Sequence, residues 1–317
     1  MTEIIIPKVG QGHSRIAVLL AVFNGASYLK DQLDSILHQE GVAVVIFVSV
    51  DISNDDSEQW IDERASADSR IHVLPHGQKF GGAAPNFFRL FRDVSFDGFD
   101  YVCLSDQDDI WLPNKLARAH QLMIDRSAQA YSSNAIAFWG DGRTAFINKS
   151  QPQTQWDYLF EAAGPGCTYV LGAPLAKEIQ ALAGDKESEI ATIGLHDWFI
   201  YAYVRSRGYR WVIDDQALIY YRQHSQNQVG MNSGLKAFMH RARKVSSGWA
   251  LAQSALIAKI IGMENDPFVE NWITASPMGL CKLSFSFWSC RRRLRDKFLF
   301  LMTCLYLALK GGGYGRS

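Results

Sequence analysis

The stretch VAVVIFVSV, residues 42–50, is apolar apart from one serine and is rich in β-branched side chains. Such a run predicts a strand buried on both faces, as in a parallel sheet covered by helices. RIAVLLAVF at 15–23 has the same character, and shorter runs follow at 70–74 and 99–104. Helical spacing of apolar residues separates these runs. The alternation predicts an α/β fold with a mostly parallel sheet flanked by helices.

After residue 130 the alternation loosens. Four short apolar runs predict strands, at 134–138, 144–147, 210–213 and 217–221. The stretch HDWFIYAYVRS at 196–206 predicts a helix.

The composition is that of a protein with a substantial core, with 317 residues of which 48% are hydrophobic and 20% are charged. The formal net charge is zero, but residues 231–310 hold twelve Lys and Arg against four acids. We therefore expect an α/β region at 1–230 and a helical, basic region at 231–317 with an anionic partner. Five scattered cysteines and the lack of a recognisable signal peptide predict a cytoplasmic protein. Nucleic acid is not expected among its partners.

Polar residues follow three of the predicted strands, at Asn24, at Asp51–Asp55 and at Asp106–Asp109. In open α/β sheets ligands bind beyond the carboxyl ends of the strands, so these breaks should meet at one crevice. Carboxylates as crowded as those of LSDQDDIW repel one another unless a cation intervenes. Hard oxygen ligands suit Mg²⁺ or Mn²⁺, which bind phosphate oxygens together with carboxylates. The alternative is a solvated acidic turn that caps the following helix.

Six motifs occur in an order that resembles family 2 glycosyltransferases, most of all the bacterial rhamnosyltransferases. They are AVFNGASYL (21–29), SVDISNDDS (49–57), FGGAAPNF (80–87), LSDQDDIWLPNKL (104–116), HDWF (196–199) and YRQHSQNQVG (221–230). The resemblance covers about residues 15–230. It implies a nucleotide-diphospho-sugar transferase (GT-A) fold and an inverting, metal-dependent sugar transfer. The implied donor is dTDP-rhamnose, and the implied acceptor is a polyprenyl-linked bacterial surface polysaccharide such as an O-antigen.

The resemblance also implies a set of donor-binding residues. Asp51 matches the acid that reads the pyrimidine ring, and Asp106 the one that approaches the donor ribose. Many members have two adjacent acids and a glycine where this chain has Val50, Asp51 and Ile52, so Asp51 would act alone. The remaining donor-side candidates are Phe23, Asn24, Lys79, Asn86 and Arg222. For Asp51 the alternative is a turn that ends the strand, and for Lys79 a solvated surface charge.

Asp108 matches the metal ligand of the family, and His224 the position that completes the metal site. Asp197 matches the catalytic base, and its place near a helix start predicts a lowered pKa. The alternative for Asp197 is simple helix capping. The acceptor-side candidates are Cys167, Thr168, His196 and Trp198, although a core position is the competing interpretation for Trp198.

The basic flank at 291–297 precedes the apolar run FLFLMTCLYLAL at 298–309, which falls short of the ~20 residues of a spanning helix. Such a segment suits peripheral attachment to an anionic membrane, here the inner face of the cell membrane. The alternative is a core helix packed on the catalytic region.

Other classes of function fit the sequence less well. A nucleotidyltransferase needs a basic Gly-rich loop after the first strand, and a dehydrogenase needs its Gly motif after that strand, whereas GQG at 10–12 precedes it. A transferase that uses another nucleotide-sugar donor is the alternative within the family, and a degenerate membrane-attached binding module is the non-enzymatic alternative.

Overall fold

The computed structural model describes residues 13–185, 188–224 and 248–313, and it confirms the predicted alternation of strands and helices. The first seven elements are β1 (Ser14–Val22), α1 (Leu29–Leu37), β2 (Val42–Val50), α2 (Ser57–Ala67), β3 (Ile71–Val73), α3 (Ala83–Asp93) and β4 (Tyr101–Ser105). The strand predicted at 42–50 is β2, with the same bounds. Seven of its nine residues are buried, as its unbroken apolar character requires.

The second half of the sheet contains more antiparallel pairing. Its elements are β5 (Ile110–Trp111), α4 (Lys115–Asp125), β6 (Ala130–Trp139), β7 (Thr144–Ile147), β8 (Val170–Gly172), α5 (Ala173–Gly184), α6 (His196–Ser206) and β9 (Trp211–Gln223). The strand order is β3-β2-β1-β4-β8-β6-β9-β5, with β7 paired to β6. The first four strands are parallel to one another, and so are β6 and β9, whereas β8 is antiparallel to both of its neighbours. The sheet is therefore mixed, with most of its paired residues in parallel ladders.

Strand β9 replaces the two late strands that the sequence predicted. The register against β6 pairs Ser133 with Asp214 but Asn134 with Ala217, so the chain bulges between them. The Asp214 carboxylate accepts hydrogen bonds from the Arg118 guanidinium at 2.5 and 2.8 Å and from the Tyr131 hydroxyl at 3.0 Å. The polar residues that suggested a break therefore form a bulge that the neighbouring elements stabilise.

Both faces of the sheet are covered. Alternate residues of β1 enter opposite cores: Ala17 and Leu19 lie in one, whereas Ile16 and Val18 lie in the other. Helices α1, α2 and α4 pack on the second of these faces, while α3, α5 and α6 pack on the first. This two-sided burial leaves the strand ends as the places where polar side chains can gather.

The C-terminal region packs on the α6 side of the sheet and shares its core. Its helices are α7 (Trp249–Ile260), α8 (Pro267–Glu270), α9 (Pro277–Phe285), α10 (Phe287–Cys290) and α11 (Leu294–Leu309). Phe160, in the segment after β7, lies 5.1 Å from Trp272 and 4.9 Å from Phe300 between ring centroids. The predicted boundary near residue 231 lies outside the described residues. Among the helices in the described ranges, none combines the length and apolarity needed to cross a bilayer.

Arg292, between α10 and α11, connects the C-terminal region to the segment that follows β7. Its side chain is fully buried, 3.6 Å from the Asp157 carboxylate and 3.5 Å from that of Glu161. Its guanidinium also donates to the Ala162 carbonyl at 2.5 Å, and its backbone N–H donates to Glu161 at 2.7 Å. The predicted basic flank therefore includes one arginine that is an internal structural group. A truncation that removed it would leave two buried carboxylates without this cation, so the tail cannot be removed without affecting the core.

Replacing Arg292 with Leu should lower the free energy of unfolding by about 3–5 kcal/mol, because the change leaves buried carboxylates uncompensated. The midpoint of urea unfolding measures the loss. The matched control is Arg295→Leu, at a side chain that is 76% exposed, where the change should stay within about 0.5 kcal/mol. Equal stability of the two variants would contradict the assigned role of Arg292.

Candidate active site

A cavity of about 590 Å³ opens at the carboxyl ends of β1, β2 and β4, where the sequence predicted that polar breaks would meet. Nine of the predicted site residues line it: Phe23, Asp51, Lys79, Asn86, Asp106, Asp108, His196, Asp197 and His224. They come from both halves of the chain, so the sheet brings together motifs that lie more than a hundred residues apart in sequence.

The ends of β1 and β4 are joined by the side chain of Gln107. Its amide oxygen accepts from the Phe23 N–H at 2.6 Å, and its amide nitrogen donates to the Phe23 carbonyl at 2.8 Å. A Cβ at position 25 would lie 2.6 Å from the same amide oxygen, so a larger residue there would displace the Gln107 amide from these two hydrogen bonds. Gln107 lies between the two acids of the DxD motif, Asp106 and Asp108, and its hydrogen bonds fix that motif against the end of β1.

Asp51 shapes the cavity wall at the end of β2. Its two carboxylate oxygens accept from the backbone N–H groups of Phe80 and Gly81, each at 2.8 Å. Asn86 closes the same corner, since its amide donates to the Ser49 carbonyl at 3.1 Å and accepts from the Ser49 hydroxyl. Asp51 therefore positions the 79–82 loop, and its remaining lone pairs face the cavity.

The acidic motif carries strong mutual repulsion. Burial raises the pKa of Asp106 to about 7, and the carboxylates of Asp108 and Asp197 add to the shift. Burial and the neighbouring carboxylates of Asp108 and Asp106 raise the pKa of Asp109 well above its usual range. The Asp109 carboxylate and the Cys167 sulfur lie within 4.8 Å of an Asp106 oxygen. Because burial also raises the pKa of the Cys167 thiol, this group stays protonated behind the motif.

Two residues of the segment RQH, 222–224, contact Asp108 and hold it in place. The Arg222 guanidinium donates to the Asp108 carbonyl at 2.8 Å and to the Asp31 carboxylate at 3.1 Å. The His224 Nε2 lies 2.6 Å from an Asp108 carboxylate oxygen, and its ring stacks on Tyr28 at 5.0 Å. The structure therefore brings Asp108 and His224, the two predicted metal ligands, into direct contact.

Asp197 is the second residue of α6 and faces the cavity. A Cβ at Gly166 would lie 2.6 Å from the His196 Nε2, so the 164–166 segment packs directly on this helix start. Burial raises the pKa of Asp197 to about 6, although the Trp198 N–H and the Lys149 ammonium act in the opposite direction. The predicted lowering of this pKa is therefore wrong, because loss of hydration outweighs the helix dipole. Burial also lowers the pKa of His196 to about 3, which leaves its ring neutral.

Five predicted site residues do not line this cavity: Asn24, Cys167, Thr168, Trp198 and Arg222. Asn24 accepts from the Asn54 N–H at 2.7 Å and so joins the loops after β1 and β2. Thr168 is buried and donates to the Pro165 carbonyl at 2.7 Å. The Trp198 indole is also buried and donates to the Tyr158 carbonyl at 3.0 Å, which is the core position of the alternative interpretation. The sequence analysis predicted that Cys167, Thr168 and Trp198 face the acceptor. In the structure all three are buried and pack outside the cavity lining.

The sequence analysis did not select several residues of the cavity wall. They are Gln107, Ile147, Lys149, Ala162, Gly164, Pro165, Leu195 and Tyr221. Gln107 was detectable as the middle residue of the DxD motif. The β6–β7 hairpin brings Ile147 and Lys149 to the cavity, and no local pattern in the sequence indicates that return.

Comparison with known proteins agrees with this geometry. The model of Glycosyl transferase family 2 matches residues 17–164. A dTDP-rhamnosyl transferase, RfbG of Shigella flexneri, is 40% identical over 284 residues, which cover 89% of this chain and 98% of that protein. The chain belongs to glycosyl transferase family 2. A more distant relative of this glycosyltransferase is the putative teichuronic acid biosynthesis glycosyltransferase TuaG of Bacillus subtilis, 27% identical over 45% of this chain and 56% of that protein.

Solved structures show that the glycosyltransferase has the GT-A fold. S. aureus TarS 1-349 in complex with UDP-GlcNAc superposes with a TM-score of 0.51 at 13% identity, covering 93% of this chain and 90% of that one. The mannosyltransferase PcManGT from Pyrobaculum calidifontis, in complex with GDP-Man and Mn2+, gives 0.52 at 14% identity, covering 95% and 87%. At these identities the likeness concerns the fold alone.

Replacing Asp197 with Asn should stabilise the protein at neutral pH. The folded pKa of about 6 lies above the ~3.9 of an unfolded aspartate. Between these values the folded state binds more protons, so this carboxyl lowers stability as pH rises. We expect a gain of about 1–2 kcal/mol above pH 7 that shrinks toward pH 5, measured by chemical unfolding across this range. Glu264→Gln, at an exposed carboxylate, is the control. A gain that did not depend on pH would contradict the assignment.

Proposed function

We propose that the enzyme transfers rhamnose from dTDP-rhamnose, with inversion at the anomeric carbon, to a polyprenyl-linked surface polysaccharide. The observation that carries this proposal is a single cavity in which the acidic motif of β4 meets Asp197 of α6. The name of the Shigella relative, matched over nearly its whole length, supports the donor. Such a transfer needs groups that bind the donor with its metal and a group that deprotonates the acceptor. Asp106 and Asp108 supply the first, and Asp197 supplies the second.

The donor occupies the part of the cavity next to β1, β2 and β4. Asp51 offers a carboxylate to a ring N–H of the donor's nucleobase. Phe23 and Lys79 also line the cavity. Asp106 faces the ribose. Burial raises the pKa of Asp106 and the carboxylates of Asp108 and Asp197 add to the shift, so an added cation would favour its ionised form.

The residues present fit a divalent cation. Asp108 offers a hard carboxylate oxygen and His224 an imidazole nitrogen, and bonds from these two atoms to the ion would replace the 2.6 Å hydrogen bond that now joins them. The protonated Cys167 thiol behind them does not suit Mg²⁺ or Mn²⁺. When bound, such an ion would neutralise charge on the departing diphosphate. Arg222 contributes through its hydrogen bond to the Asp108 carbonyl, which orients that ligand.

Asp197 serves as the general base toward the acceptor hydroxyl. In-line attack requires the base on the far side of the sugar from the diphosphate, and Asp197 lies on α6, separate from the loop after β4 that carries Asp106 and Asp108. A pKa of about 6 leaves this carboxylate mostly ionised at neutral pH and still basic enough to take a proton. Neutral His196, stacked on Phe87 at 4.1 Å, forms the apolar wall beside it.

Two substitutions should separate donor binding from chemistry. Asp108→Ala should lose Mn²⁺-dependent binding of dTDP-rhamnose in calorimetry, because the diphosphate loses its bridge to the protein. Asp197→Asn should keep that binding but lower transfer by about 10²–10⁴-fold. Uridine- and guanosine-diphospho-sugars serve as competing donors in the same assays. Preferred turnover of one of these would overturn the donor assignment, and near-normal transfer by Asp197→Asn would remove the base from the mechanism.

A peripheral position on the inner face of the cell membrane is part of the proposal, because its acceptor is lipid-linked. Nine of the thirteen large apolar side chains exposed in the described residues belong to α9–α11, and we call them the tail face. They are Met278, Phe285, Trp288, Leu294, Phe298, Leu299, Met302, Tyr306 and Leu309. Helix α11 buries Phe300 and Cys304 on its other side, so it is both a core helix and an exposed apolar surface. The same stretch of chain carries four exposed cations, Lys282, Arg293, Arg295 and Lys310. Each such charge near a membrane surface favours binding to anionic lipid by about 1 kcal/mol.

Replacing Phe285, Phe298 and Met302 together with Ser should release the protein from vesicles that contain anionic phospholipid, since it removes apolar area that enters the lipid interface. Sedimentation at low salt measures the bound fraction. Phe146→Ser, at an exposed aromatic on β7, is the matched control and should bind as wild type does. If wild-type protein stays in the supernatant, the tail face does not bind lipid.

A further inference from the structure

The start of helix α1 contacts the end of strand β9, and the proposed mechanism gives this contact no role. Tyr28 directly precedes α1, and Asp31 lies in its first turn. Tyr28 belongs to the motif AVFNGASYL, 21–29, in which Phe23 and Asn24 were the predicted donor-side residues. The segment that it touches is RQH, 222–224, which holds Asp108 in place.

Tyr28 stacks on the imidazole of His224. The ring centroids lie 5.0 Å apart and the two planes differ by 13°, which is the parallel arrangement that aromatic rings favour when they are offset. A histidine side chain can turn about two bonds, and a parallel stack limits the orientations that its ring can take. In the orientation that the stack holds, the His224 Nε2 lies 2.6 Å from an Asp108 carboxylate oxygen.

Tyr28 also lies against the guanidinium group of Arg222. The central carbon of this group is 5.0 Å from the Tyr28 ring centroid and 4.7 Å from that of Phe138, distances typical of a cation on an aromatic face. The same guanidinium donates to the Asp108 carbonyl at 2.8 Å. Tyr28 therefore contacts both side chains that hold Asp108, His224 at the carboxylate and Arg222 at the backbone.

Asp31 is a second contact between α1 and this segment, and its contribution should be smaller. Its carboxylate accepts from the Arg222 guanidinium at 3.1 Å, but the Asp31 side chain is 55% exposed. Ion pairs of exposed side chains contribute little, because water and salt screen them. Tyr28 is half-buried, so its ring excludes water from His224 and Arg222. The aromatic contact is therefore the one expected to fix the segment.

We propose that Tyr28 is a positioning residue for the divalent-cation site, which holds His224 and Arg222 in the arrangement that lets Asp108 and His224 bind one ion. The inference rests on the proposed function, in which these two residues bind Mg²⁺ or Mn²⁺. Without the stack, the imidazole would spend part of its time in other orientations. The apparent affinity for the ion would fall in proportion to the fraction of molecules that remain competent to bind it.

The test titrates metal-free protein with Mn²⁺ alone and follows the free ion by electron paramagnetic resonance. Tyr28→Leu and Tyr28→Met, two apolar replacements without a ring, should weaken Mn²⁺ binding about 10-fold, as the loss of a supporting contact does at other metal sites. Tyr28→Phe keeps the ring and should bind within about twofold of wild type. Asp31→Asn should also stay within about twofold.

The matched control is Tyr101→Leu. Tyr101 is another half-buried tyrosine that contacts a histidine, with its ring centroid 5.4 Å from that of His120, but it lies at the opposite end of β4 from the cavity. This variant should bind Mn²⁺ as wild type does. Urea unfolding of each variant separates positioning from simple packing. A Tyr28→Leu or Tyr28→Met protein that loses stability but keeps wild-type affinity for Mn²⁺ would overturn the proposal.

Sugar transfer supplies a second readout. In Tyr28→Leu the Mn²⁺ concentration that gives half-maximal transfer should rise about 10-fold, while transfer at saturating Mn²⁺ should return to near the wild-type rate, because excess ion fills the weakened site. An unchanged half-maximal concentration would overturn the inference alone, since the cation site itself would still stand. If wild-type protein binds no Mn²⁺, the cation site and this inference fail together, whereas transfer from dTDP-rhamnose without added metal would still establish the donor.

Discussion

The constraint on which the site depends is the negative charge collected at the end of β4. Asp106, Asp108 and Asp109 follow a strand buried on both faces; Asp108 and Asp109 are buried and Asp106 is half-buried, so water stabilises these carboxylates less than it would in solution. Arg222 holds the backbone of the motif through the Asp108 carbonyl, and His224 contacts the Asp108 carboxylate. Burial nevertheless raises the pKa of Asp106, and the carboxylates of Asp108 and Asp197 add to the shift. A bound cation would stabilise the ionised carboxylates at this site, which is why the proposed function includes one.

A second buried charge network supports the opposite wall of the cavity. Asp157 accepts from the Tyr201 hydroxyl at 2.8 Å and pairs with Arg205 at 3.2 Å, while Arg292 joins it to Glu161. Tyr201 and Arg205 lie on α6, the helix that begins with His196 and Asp197. The position of Asp197 is thus fixed at two places along one helix, by close packing against Gly166 at its start and by this network further along.

How far the sequence predicts the structure depends on the range of the contacts involved. Strand β2 and helix α6 were predicted with their bounds, because apolar periodicity and burial agree locally. Strand β5 has two residues and exists only through its pairing with β9, so no local pattern announces it. The position of Asp197 was predicted from its motif, but its pKa was not, since that depends on how deeply the folded chain buries it. Lys149 was missed for the same reason: a hairpin places it, and no motif marks it.

The tail is joined to the chemistry through the segment after β7. Arg291 donates to the Phe160 carbonyl at 3.0 Å and Arg292 to that of Ala162 at 2.5 Å, while Ala162 itself lines the cavity. The loop between α10 and α11 therefore holds the cavity wall with one set of groups, while α11 presents part of the tail face. Because one short stretch of chain supplies these hydrogen bonds and leads into α11, truncation before this stretch would also remove the groups that hold the cavity wall. Substitutions confined to the exposed side chains of the tail face leave those hydrogen bonds in place.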